Sequence, residues 1–282
     1  MPERFVAACV QMRSGRDPAA NRDAAVAGVR EAAAAGARFV QTPEMTSLVE
    51  RSRERLFEVV TDEDRDITLA ALRQTARETG AMVQIGSIAV RAGDKIANRA
   101  YLIGADGAIV AAYDKMHLFD VDLPSGERWR ESATYTGGAC AVLAATPLGR
   151  IGLTICYDIR FPALYRALAE SGAEILTAPA CFTRQTGEAH WHVLQRARAI
   201  ETGAFVISAA QGGRHADGRE TYGHSLIVDP WGRVLADAGG AEPGVILAEI
   251  DLATVADARA RIPALQHGRP ITVERVGAPP SS

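Results

Sequence analysis

Three side chains of complementary chemistry stand at comparable places in this chain: Glu44 closes the stretch RFVQTPE, Lys115 follows AIVAAYD, and Cys156 follows RIGLTI. Each leaves an apolar run at its end, where an open α/β sheet offers side chains to a crevice. Amide hydrolysis needs a nucleophile, a proton carrier that reaches both the nucleophile and the leaving nitrogen, and a cationic or hydrogen-bonding site for the oxyanion. Cys, Glu and Lys supply these in turn. Taken singly, a Glu or Lys at a strand end is usually a solvated charge, and a lone cysteine is as often a small apolar filler as a nucleophile. Their shared placement carries the argument. In GLTICYDIRFP the thiol leaves its apolar run directly into Tyr157, Asp158 and Arg160, a setting that can present sulfur in a cleft.

The elements that must position these groups follow from periodicity and punctuation. RFVAACVQ reads as a strand, and DPAANRDAAVAGVREAAAAG as a helix with Asp17 as N-cap, Pro18 in the first turn and Gly36 past its end. A second helix is expected over Thr61–Gly80, with Leu69, Leu72 and Ala76 on one face. RAYLIGADGAIVAAYDK carries Asp106-Gly107 between two apolar runs, a two-residue hairpin signal, and TPLG and DPWG read as turns. After the quoted stretch come helix FPALYRALAESG, strand AEILTAP, and helix GEAHWHVLQRARAIETG with Val193, Ala197 and Ile200 on one face. Strand AFVISAAQ, hairpin YGHSLIVDPWGRVLAD, strand GVILAEID and helix LATVADARARI complete the order, before a tail from Pro263. Interleaved helices and mixed strands predict an α/β architecture of two sheets packed face to face with helices outside, in one domain spanning 1–282 with 263–282 as C-terminal tail.

Composition narrows the function classes. Among 282 residues, 31 Lys and Arg stand against 34 Asp and Glu, a formal charge of −3 that gives no basic surface for nucleic acid or an anionic membrane. No apolar stretch approaches the roughly 20 residues of a spanning helix, and the N-terminus has no long apolar leader. The four cysteines are dispersed and expected to be reduced, which points to a soluble cytoplasmic protein with a small-molecule substrate. His190 and His192, two apart on a helix, make a poor metal pair. His224 is expected to make a structural hydrogen bond. The Gly pairs match neither a dinucleotide fingerprint nor a P-loop, so no cofactor and no metal are expected.

The motifs TPEM (42–45), YDKMHLF (113–119) and ICYDIRFP (155–162), with TGEAHWHVLQRARAIET (186–202) and YGHSLIVDPWG (222–232), together resemble the nitrilase superfamily of carbon–nitrogen hydrolases, in its Nit amidase branch. The resemblance covers nearly the whole chain and implies a four-layer α-β-β-α sandwich. It implies Cys156 as nucleophile forming a thioester, Glu44 as general base, and Lys115, with the Tyr157 backbone N–H, as oxyanion site. Glu131, in RES (130–132), matches a second glutamate that keeps Lys115 charged; Glu127 is the competing candidate. A homodimer or larger homo-oligomer is implied as well. The sequence departs from the family at Asp114, where Arg usually precedes the lysine, and at Ala163, where Glu often follows RFP. The implied substrate is a small carboxylate-bearing amide, deaminated glutathione first and 2-oxoglutaramate as the ω-amidase alternative. Arg160 and Arg184 are candidate carboxylate partners, and Arg214 and Arg219 could meet the far carboxylate of a longer ligand. A Cys–His thiol hydrolase and a non-catalytic binding protein are the competing readings.

Overall fold

The computed structural model describes residues 4–124 and 126–277. Two mixed sheets face each other. In the first, the strands run Gly244–Asp251, Arg4–Gln11, Ala37–Gln41, Met82–Ala92, Lys95–Ile103 and Ile109–Asp114, with the short Tyr135–Thr136 beside Lys95–Ile103. The second runs Val234–Asp237, Leu226–Val228, Phe205–Ser208, Ile175–Thr177, Gly149–Leu153 and Val142–Thr146. Each has three central parallel strands flanked by antiparallel ones.

Among the described residues six helices cover the outside: α1 (Pro18–Ala34), α2 (Arg53–Val59), α3 (Ile67–Thr79), α4 (Pro162–Glu170), α5 (Arg184–Thr202) and α6 (Ala253–Arg261). Strand alternation explains the layering. Phe5, Ala7 and Cys9 point into the core shared with the second sheet, whereas Ala8 and Val10 point to the opposite face, where Val29 of α1 and Leu72 of α3 pack. Both faces of RFVAACVQ are therefore buried, which is why it reads as an almost continuous apolar run. Trp191 of α5 and Tyr165 of α4 seal the outer face of the second sheet. The result is the expected α-β-β-α sandwich.

Several expectations need adjusting. The helix expected over Thr61–Gly80 begins only at Ile67, because Asp66 caps it by accepting from Leu69 N at 2.7 Å; a 3-10 turn, Glu63–Arg65, precedes it. The separate helix α2 was not foreseen. The hairpin at Asp106-Gly107 forms, but its loop is Gly104–Ala108 rather than two residues. The face of α5 carrying Val193 and Ile200 is exposed, while Trp191, Gln195, Arg198 and Ala199 face inward. Gln195 and Arg198 are accommodated by hydrogen bonds, from Ser208 Oγ at 2.8 Å and to the Ile159 carbonyl at 2.7 Å.

One buried polar bridge fixes the two sheets close to the strand ends that matter. Gln41 Nε2 donates to Gln84 Oε1 at 3.0 Å, Gln84 Nε2 to Thr177 Oγ1 at 2.9 Å, and Ala209 N to Gln41 Oε1 at 2.5 Å. Such a network holds relative position because a stranded member would cost about 1–3 kcal/mol.

Candidate active site

Glu44 lies three residues past the strand Ala37–Gln41, in a turn that places Met45 at φ +58°. That turn is anchored to Ser87, which receives Met45 N on its hydroxyl at 3.0 Å and Thr46 N on its carbonyl at 2.9 Å. Gly86 permits the approach: a Cβ there would collide with the Thr42 carbonyl, Pro43 and Pro179. Lys115 follows the strand Ile109–Asp114, with its N–H on the Asn98 carbonyl at 3.0 Å. Cys156 opens the 3-10 turn Cys156–Arg160 at φ +50°, a left-handed conformation that disfavours a side chain.

Asp158 holds that strained turn and joins it to the lysine segment. Its Oδ2 accepts from Ile155 N at 2.9 Å and from Tyr113 Oη at 2.7 Å; its Oδ1 accepts from His117 N at 3.0 Å and pairs with His117 Nδ1 at 2.7 Å. Cys156 N donates to the Pro179 carbonyl at 2.9 Å. The turn is thus tied to segments on both sides of Lys115.

These supports bring the four polar groups together. Lys115 Nζ donates to Glu44 Oε1 at 2.8 Å and to Glu131 Oε1 and Oε2 at 3.2 and 2.9 Å. Glu44 also accepts from Asn98 Nδ2 at 2.9 Å and Cys181 N at 2.8 Å; Glu131 accepts from Phe119 N at 2.6 Å. The Cys156 thiol faces the Glu44 carboxylate. Burial pushes the Glu44 carboxyl up, but the charge and hydrogen bonds of Lys115 prevail and hold it below the ordinary range. For Lys115 burial acts downward, and Glu131 and Glu44 overcome it, keeping the ammonium charged well above its ordinary range. Burial and the Glu44 charge push the Cys156 thiol well up. At neutral pH Glu44 is therefore a carboxylate, Lys115 an ammonium and Cys156 a neutral thiol whose proton faces the Glu44 carboxylate.

These groups open onto a cavity of about 310 Å³, lined by Glu44, Lys115, Glu131, Cys156 and Tyr157 among others. Glu127 lines it too, but its carboxylate receives Arg51 at 3.2 Å. Arg184 does not line it: exposed in the first turn of α5, it pairs with Glu188 at 2.9 Å and Glu220 at 3.6 Å. Arg160 is also off the wall, lying over Phe182 and bonded to His190 Nδ1 at 3.3 Å, because Tyr157 and Phe182 themselves form the lining there. Arg214 is exposed and outside the lining, whereas Arg219 lines it.

Asn98, Asp158 and Cys181 were missed by sequence reasoning as parts of the site. A signal existed for two: Asn98 is a polar residue inside the apolar strand Lys95–Ile103, and Asp158 lies two residues past the thiol. Asp114, the first departure, is held by Arg99 through bonds of 2.6 and 2.9 Å, and Ala163, the second, is exposed on α4.

Among the described residues no histidine lines the cavity. His215 is buried between the Ser14 carbonyl and Thr221 Oγ1, at 2.8 and 2.7 Å. His192 Nε2 and His224 Nδ1 each reach Asp237, both at 2.9 Å, so His192 finds its partner across the fold rather than at His190. The three ligand atoms of His192, His224 and Asp237 lie within 4.8 Å of one another, a spacing that could hold a metal ion outside the cavity. The described cysteines are all free thiols. No described helix is long and apolar enough to cross a membrane.

Comparison with known proteins meets this geometry. The model of the carbon-nitrogen hydrolase family matches residues 6–260. The chain is 42% identical over 281 residues to the deaminated glutathione amidase of Homo sapiens, covering 98% of this chain and 85% of the relative. Its structure is similar to that of the C. elegans NitFhit protein, with TM-score 0.86 and 34% identity over 94% of this chain and 65% of the other. Saccharomyces cerevisiae Nit3, a member of branch 10 of the nitrilase superfamily, superposes with TM-score 0.82 and 28% identity, covering 92% of this chain and 94% of the other.

Proposed function

The chain belongs to the carbon–nitrogen hydrolase family, and from that premise we propose that it is an amidase that cleaves the C–N bond of a small carboxylate-bearing amide, deaminated glutathione first, through a thioester on Cys156. The observation that carries the reading is the buried Glu44–Lys115–Glu131 ion cluster set against the Cys156 thiol at the wall of one cavity. Glu44 takes the thiol proton as sulfur attacks the amide carbon. The oxyanion that forms is stabilised by the Lys115 ammonium and the Tyr157 N–H. Glu44 passes its proton to the leaving nitrogen, which departs as amine or ammonia. The same carboxylate then deprotonates a water that attacks the thioester, and the proton returns to sulfur as the acid leaves.

Glu131 keeps Lys115 protonated and in place through two contacts, so that Glu44 can gain and lose a proton while the ammonium keeps a negative partner. The substrate assignment rests on likeness to relatives named deaminated glutathione amidase, from mammals to Synechocystis. The exposed Val193, Ile200 and Trp231, together with Ile271, Val273 and Val276 of the tail, support a homodimer or larger homo-oligomer that covers them. Dispersed free thiols fit a reducing compartment such as the cytoplasm.

The test is kcat/KM for deaminated glutathione, 2-oxoglutaramate and a neutral aliphatic nitrile under one set of conditions. Preference for the first supports the assignment. Preference for 2-oxoglutaramate moves it to ω-amidase, and preference for the nitrile removes the carboxylate requirement.

A further inference from the structure

Among the described residues, one mostly buried arginine of the cavity wall has incomplete hydrogen bonding. Of the lining arginines, Arg51, Arg53, Arg128 and Arg130 are exposed to water; Arg51 bonds Glu127 and Arg130 bonds Asp122 at 2.9 Å, while Arg128 lies 3.6 Å from Asp122 and Arg53 lies over the Phe57 ring. Arg219 differs. Its side chain is 14% exposed, and its guanidinium lies over the Trp129 ring at 4.6 Å. Nη1 donates to the Cys181 sulfur at 3.5 Å, a weak acceptor. The nearest carboxylate oxygen, Asp217 Oδ2, is 3.7 Å from Nε, beyond hydrogen-bond reach, and both Nε and that oxygen lack a partner. Trp129 Nε1, on the same cavity wall, is a second buried donor without a partner. A guanidinium held out of water with donors to spare is costly unless something completes it.

Its place and charge say what completes it. Cys181, which meets Arg219 through sulfur, also gives its backbone N–H to Glu44, so the guanidinium is one residue removed from the reacting cluster. That cluster, two carboxylates against one ammonium with a neutral thiol, is net negative and repels an anionic substrate unless a cation faces it. We propose that Arg219 is the specificity residue of this cavity, receiving the substrate carboxylate remote from the scissile amide. A carboxylate matches the guanidinium fork and can accept two parallel N–H bonds. This rests on the amidase reading above.

Two measurements separate the inference from that reading. The first is the KM and kcat of Arg219→Gln and Arg219→Lys on carboxylate-bearing amides. The second is the rate at which iodoacetate, relative to neutral iodoacetamide, alkylates Cys156, with the modified peptide identified by mass because Cys181 lies beside Arg219. Arg219→Gln is expected to raise KM about 10- to 100-fold, the range for lost hydrogen bonds to a charged group, with a smaller effect on kcat, and to lower the iodoacetate-to-iodoacetamide ratio. Arg219→Lys, if folded, should recover part of both. If wild type cleaves no carboxylate amide yet the alkylation ratio still falls in Arg219→Gln, the activity is wrong and anion recognition stands. An unchanged ratio and KM in a folded Arg219→Gln, or equal losses with charged and neutral reagents, overturns it.

Discussion

Asp158→Asn should uncouple the cysteine turn from the lysine segment while barely changing side-chain volume. The carboxylate serves four donors: Ile155 N, Tyr113 Oη, His117 N and His117 Nδ1, at 2.7 to 3.0 Å. An amide keeps one acceptor oxygen, so the donors gathered at the other oxygen face an NH₂ group. With about 1.5–3 kcal/mol for a bond to a charged group, and about 1–3 kcal/mol for a stranded buried donor, the variant should lose about 3–5 kcal/mol of stability. The left-handed Cys156 costs about 1–2 kcal/mol and relaxes once its support weakens. Displacing the sulfur by about 1 Å should lower kcat about 100-fold. Urea unfolding gives the stability, and steady-state kinetics with the Cys156 alkylation rate gives the position of the thiol. A variant that unfolds at lower urea but keeps wild-type kcat while folded refutes the positioning argument, and one unchanged in both refutes the hydrogen-bond accounting as well.

Lys115→Met should lower kcat about 100- to 1000-fold with little change in KM, because the oxyanion exists only near the transition state; the reverse pattern, read in steady-state kinetics, would make Lys115 a binding group. Glu131→Gln removes one of the two charges that hold the Lys115 proton well above its ordinary range, so the alkaline fall of the pH–kcat profile should move to lower pH. The acid side, where Glu44 gains its proton below the ordinary carboxylate range, should persist, and a profile unmoved on the alkaline side would contradict the role of Glu131. Gly86→Ala places a methyl against the Thr42 carbonyl, Pro43 and Pro179, the segments beside Glu44 and Cys156. It should lower both the melting temperature and kcat; retention of both would mean that the loops yield at no cost.

The architecture was legible because strands buried on both faces write long apolar runs, and because Asp17, Gly36 and Gly80 punctuate helices with standard cap chemistry. Element edges set by local competition were less visible: Asp66 captures the start of α3, which no apolar spacing announces. Val193, Ala197 and Ile200 share an apolar face, but sequence periodicity alone does not say which face of a helix meets the sheet, and hydrogen bonds at Gln195 Oε1 and Arg198 Nε hold those side chains inside. The gathering of Glu44, Lys115 and Cys156 follows from strand ends on the two facing sheets, while Glu131 reaches Lys115 from the 3-10 turn Glu131–Ala133. The surroundings of the arginines do not: Arg184 is drawn outward by Glu188 and Glu220, while Arg219 is carried inward by the strand Glu220–Tyr222, which pairs with Gly212–Arg214. The pair with Glu188 is a local i,i+4 contact, but the contact with Glu220 and the pairing that carries Arg219 inward are long-range and have no local sequence signature.

Cys156 and Cys181 both line the cavity, and both thiols are raised by burial, Cys181 to about 11. The most direct measurement is therefore acid quenching during turnover of a carboxylate-bearing amide, followed by mass spectrometry of the cysteine peptides. The account predicts the acyl group on the Cys156 peptide, released by hydroxylamine as a thioester. Turnover with an acyl group on Cys181, or at full rate in Cys156→Ala, would contradict it.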